Sequence, residues 1–149
     1  MLRSILKTIH LVSLCIFLGS IATYIFLGEL VPESNQMALA LNRQWVLQST
    51  TYLTIIAMCI TGLTGVLLSG IPRARWIQIK LIGFVGILLN TFFFVYPAIQ
   101  SSVELLGKDE QGFEAALMNE AIFGGVNILL ILILIVIAIR KPKFSRQAN

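Results

Sequence analysis

Charged residues are scarce in this sequence. Of its 149 residues only 12% carry a charge, about half the share found in an average soluble domain. So few cannot cover a water-facing globular surface, and a single domain over residues 1–149 leaves no room for a separate soluble module. Histidine occurs once and cysteine twice, with Cys15 and Cys59 each alone in its own apolar run. The lack of a CxxC or a loop cysteine argues against a disulfide-generating enzyme and leaves both as small core residues. P-loop, HExxH, GxSxG and dinucleotide signatures are missing too. Four methionines and one histidine are a poor ligand supply for copper handling. No low-complexity segment, linker or internal repeat interrupts the chain.

What the chain has in quantity is apolar sequence: 57% of its residues are hydrophobic. They gather into four runs long enough to cross a bilayer, for which about 20 residues suffice. The stretch RARWIQIKLIGFVGILLNTFFFVYP, from Arg73 to Pro97, states its own direction. Arginines that flank such a run stay on the cytoplasmic side, and tryptophan favours the headgroup level. Within it, Lys80, Gly83, Ile87, Asn90, Phe94 and Pro97 fall on one side of a helix. Lys80 faces the bundle or snorkels past Trp76 to the boundary. Asn90 is too short and too deep to snorkel and needs a partner inside the protein.

The other runs read similarly. Arg3 and Lys7 precede an apolar run that continues past Ser20-Ile21-Ala22 to Leu30, long for a cleaved leader, so an uncleaved first span is expected. On it His10, Ser13, Phe17, Ser20, Tyr24 and Leu27 share a polar-dotted face that should point inward. Pro32 closes this helix, and residues 33–48 form a connection with helix-forming character at Met37 to Leu41 and an interfacial Trp45. The second span carries Ala57, Thr61, Gly65 and Ser69 at four-residue spacing, a ridge suited to close helix packing. Gly70-Ile71-Pro72 turns into the third span, Gly107 to Gly112 forms a polar turn, and Glu120, Gly124 and Asn127 share a face of the fourth. The four helices are expected at about 4–30, 46–69, 73–104 and 113–140.

Charge placement orients them. Nine of eleven basic residues lie at the N-terminus, the central turn and its following helix, or the tail of Arg140, Lys141, Lys143 and Arg146. All seven acidic residues lie at or between the opposite ends. The positive-inside rule then gives an all-α, integral membrane four-helix bundle, antiparallel and up-down, with both termini cytoplasmic. The pI near 9.4 therefore reflects topology, and no nucleic-acid partner is expected.

His10 and Lys80 come out at similar depth near the cytoplasmic boundary, on helices entering from the same side. They are the candidate catalytic pair, and with Trp76 and Asn90 they could line a polar site for an anionic small molecule. The imidazole could ligate a metal, move a proton or simply hydrogen-bond. At the other end Glu29 and Glu120 could bind a cation or relay protons, but read better as solvated interfacial carboxylates.

Three segments carry a resemblance: LKTIHLVSLCIFLG in the first helix, TGLTGVLL with RWIQIKL across the central turn, and MNEA opening the last. Together they resemble the HemJ/CopD-like group of small bacterial membrane proteins and uncharacterised integral membrane families of the same pattern. The resemblance implies a multi-pass protein of the bacterial inner membrane, with haem b and a porphyrin-directed oxidoreductase activity centred on His10 and Lys80. HemJ-like proteins usually carry an arginine-containing segment where this chain reads TYIFLGEL, and a histidine-bearing one where it reads LLNTFFF. The alternative is accordingly a non-enzymatic membrane module that packs with a partner or forms a homo-oligomer through its small-residue ridge.

Overall fold

A computed structural model of the chain describes residues 1–31, 35–70 and 75–140, without the side chains of residues 28–30. The described residues form four long helices: α1 (Leu2–Leu30), α2 (Gln36–Ser69), α3 (Arg75–Leu105) and α4 (Glu110–Arg140). Each is long and apolar enough to cross a membrane. Residues 71–74 of the expected turn, Pro32, the Glu29 side chain and the basic tail beyond Arg140 lie outside the described residues.

Helix ends follow local chemistry. Asn35 caps α2 by accepting the Ala38 amide at 3.0 Å, and such a cap is worth about 1 kcal/mol. The second helix therefore begins at Gln36, well before residue 46, and takes in most of the expected connection. Gly107, at φ 72°, ends α3 in the left-handed conformation that glycine tolerates. Asp109 then opens α4, its carboxylate accepting the Gly112 amide at 3.1 Å.

Both middle helices contain a π-helical turn, Thr50–Thr54 in α2 and Thr91–Val95 in α3. The second has a visible cause. Pro97 lacks the N–H that the Phe93 carbonyl would receive in an α-helix, and its ring crowds that carbonyl. A π turn inserts one extra residue, so the inward face shifts beyond it. Phe94 and Pro97, expected to point inward, are exposed, while Thr91, Ala98, Ile99 and Ser102 take the inner positions.

The apolar core is a small cluster of Phe17, Ala57, Met58, Ile87 and Ile131, drawn from all four helices. Buried side chains among the described residues comprise nine hydrophobic and ten polar or charged ones. Large apolar side chains such as Leu11, Phe26, Leu67, Ile82 and Ile139 are exposed instead. That inversion fits a lipid environment, where association rests on packing and hydrogen bonds and not on burying hydrocarbon. Cys15 and Cys59 do not join the core: both face outward. Each lies two residues from an inward position, Ser13 and Phe17 on α1 and Ala57 and Thr61 on α2, which turns it to the far side of its helix.

Candidate functional site

The polar stripe of α1 packs along α2 as a hydrogen-bonded seam. His10 Nδ1 lies 3.0 Å from both the Thr61 carbonyl and Thr64 Oγ1. A carbonyl only accepts, so Nδ1 carries the proton and Nε2 keeps its lone pair. Gly65 makes room for the ring: a Cβ there would come within 3.3 Å of His10 Cε1. Farther along, Thr61 donates to Ser13 at 2.9 Å and Thr54 donates to Ser20 at 2.9 Å. Thr54 has thereby used its proton, so the Tyr24 hydroxyl, 2.7 Å away, is the donor in that contact. Of the small-residue ridge, Ala57 and Thr61 are buried in the seam and Ser69 is exposed.

Between α3 and α4, Asn90 finds the internal partners its depth demands. Its amide donates to the Phe123 carbonyl at 2.8 Å and to Asn127 Oδ1 at 2.9 Å. Asn127 passes the connection on to Thr91 Oγ1 at 2.9 Å. Both Asn90 amide protons are spent on structure.

Lys80 is half-buried, with its ammonium 5.7 Å from the centre of the Trp76 ring one turn earlier. No hydrogen bond joins it to His10 among the described residues. Their neighbourhoods adjoin on α2, where Gly65 receives His10 and Gly62 receives Phe84, one turn beyond Lys80.

A cleft lies elsewhere. About 1020 Å³ in volume, it is walled by all four helices. Phe17, Ile21 and Tyr24 of α1 face Arg43, Thr50 and Thr54 of α2. Thr91, Val95 and Ile99 of α3 and Glu120, Gly124 and Asn127 of α4 close the circuit. Both π turns border it, since Thr50, Thr54, Thr91 and Val95 are their end residues. His10, Lys80, Trp76 and Asn90 do not line it.

Two features set the cleft's chemistry. Arg43 Nη1 meets Glu120 Oε2 at 2.7 Å, with side-chain exposures of 6% and 19%. Glu120 is thus the partly buried partner of a buried arginine, contrary to its expected place as a solvated interfacial carboxylate. An arginine inside the bundle supplies a stronger partner for it than solvent would. Arg43 itself is hard to find from sequence because it falls in the stretch read as a connection. Its signal is that it stands apart from the basic cluster. Second, buried Thr50 lines the cleft, and its hydroxyl has no hydrogen-bond partner among the described residues.

Among the described residues no three histidine, cysteine or acidic side chains gather to hold a metal ion. A haem would find one axial ligand in His10 Nε2. The cleft's own lining contains no histidine, methionine or cysteine. No family model matches the chain, and neither curated proteins nor solved structures show a significant match.

Proposed function

We propose that this chain is a four-span inner-membrane module that binds a small molecule in the cleft beside Arg43 and Glu120. One observation carries the reading: a cleft of about 1020 Å³ reaches all four helices and holds a partly buried ion pair. Pockets of this size enclose ligands of several hundred daltons, with a few polar groups fixing orientation. An antiparallel bundle with both termini cytoplasmic is part of the proposal. The seam supports it, since His10 pairs with Thr64 while Tyr24 pairs with Thr54. In that topology the cleft lies toward the exterior side. Reporter fusions at Asn35 and Lys108 are expected to behave as exterior, and interior behaviour at either overturns the orientation.

The binding reading is tested by filling the cleft. Gly124 lines it, and a Cβ at this position meets nothing within 4 Å. Gly124→Phe is expected to keep the thermal stability of the parent and to lose any small molecule that co-purifies in mild detergent. Retention of that molecule by the filled variant removes the cleft as its site.

A second reading, a haem-associated redox protein of HemJ type, draws on His10. Its Nδ1 proton is held by the Thr61 carbonyl, the arrangement that orients an imidazole for ligation through Nε2. Haem b held there would supply one-electron chemistry. Lys80 would offer a cation to a propionate, while Asn90 has no amide proton to spare. Titration with haemin tests it, and the absence of a Soret shift that His10→Ala abolishes ends it.

A further inference from the structure

We infer that the cleft takes a neutral amphiphile whose head carries hydroxyl groups, an assignment that rests on the cleft being a binding site. Charge points away from an anionic head. Arg43 and Glu120 neutralise each other at 2.7 Å. The rest of the described lining sets Lys108 against Glu110 and Glu114, so among the described residues two positive and three negative side chains leave a net charge of −1. An anion gains little there, and the deep wall offers it no unpaired cation.

The unpartnered atoms are more selective. Asn42 donates through Nδ2 to the Leu27 carbonyl at 3.1 Å, which fixes its amide orientation. Its buried Oδ1 is left without a partner among the described residues and can only accept. The Thr50 hydroxyl, also buried and unpartnered, can donate as well as accept. Both residues line the cleft. A carboxylate cannot donate to Asn42, and an ammonium would leave the Thr50 proton without an acceptor. The two residues lie eight positions apart on α2, about 12 Å along its axis, so a head with more than one hydroxyl is needed to serve both. The remaining wall, including Ile21, Ile25, Leu39, Val95, Ile99 and Ile128, is apolar and suits a hydrocarbon body. Glycerol esters and quinols share this chemistry.

Trp45 reports occupancy, because its ring meets Tyr24 edge-on at 6.1 Å and Tyr24 lines the cleft. Replacing the only other tryptophan by Trp76→Phe isolates that signal. The micellar protein is titrated with a monoacylglycerol, a fatty acid and a fatty amine, all bearing the same brominated chain. Saturable quenching is expected from the glycerol ester at a concentration about fivefold or more below the other two. Thr50→Val should weaken it by about five- to tenfold, the usual effect of losing one buried hydrogen bond. Tighter quenching by the acid or amine, or indifference to Thr50→Val, overturns the hydroxyl-head assignment but keeps the cleft as a site. Unsaturable quenching by all three, unchanged in Gly124→Phe, reflects partition into the micelle with water alone at Thr50, and overturns both readings.

Discussion

Arg43 and Glu120 stand 77 positions apart in sequence and meet at 2.7 Å inside the bundle. The pair binds α2 to α4 across the wall of the cleft, where neither charge has enough water to stand alone. Glu120→Leu or Arg43→Met alone is expected to cost about 3–5 kcal/mol, the usual penalty for leaving a buried charge unpaired. The double variant should recover most of that loss, because the desolvation cost leaves with both charges. Reversible unfolding in mixed micelles measures all three. Additive losses in the double variant would mean that the two charges are not energetically coupled.

Thr50 and Thr54 sit at opposite ends of one π turn, and both are buried. Only Thr54 is bonded, donating to Ser20 and receiving from Tyr24. Thr54→Val is therefore expected to lose about 1–2 kcal/mol, within the range for polar contacts between membrane helices. Thr50→Val, which removes a hydroxyl without a partner, should be neutral or slightly stabilising. Thermal unfolding of the two variants side by side checks the contrast, and equal losses would contradict it.

Gly62 and Phe84 hold α2 against α3. A Cβ at Gly62 would collide with the Phe84 ring. Gly62→Ala is expected to destabilise by about 1–3 kcal/mol through overpacking. Phe84→Leu, combined with it, should return part of the loss, whereas Phe84→Leu alone should leave a cavity and destabilise. The measurement is the coupling energy of the double-mutant cycle.

The sequence made some of this interior readable and hid the rest, for identifiable reasons. On α1 the inward positions His10, Ser13, Phe17, Ser20 and Tyr24 keep an unbroken three-and-four spacing, and all turn toward the bundle. On α3 the same reasoning works as far as Asn90, whose partner had to be internal and is. It fails beyond Asn90 because the π turn adds a residue that helical periodicity cannot anticipate. The cysteines illustrate a different limit. Small apolar side chains sit equally well in lipid and in a core, so residue type alone does not settle which way Cys15 and Cys59 face. The cleft was invisible for a third reason: its deepest charge, Arg43, belongs to a stretch that looks polar enough to be a loop.

The π turn in α2 also makes the upper part of that helix a rotary adjustment. Winding Thr50–Thr54 back to α-helix with all its residues present would leave one residue too many for the span the turn covers. Everything on its N-terminal side would then revolve by about 100° about the helix axis. Arg43 would swing off Glu120 toward lipid, and Asn42 would leave the Leu27 carbonyl, while the His10 seam below stayed in register. A single-codon deletion inside the turn would take out that extra residue and keep both halves of α2 in register, whereas the same deletion elsewhere in the helix would turn one half against the other.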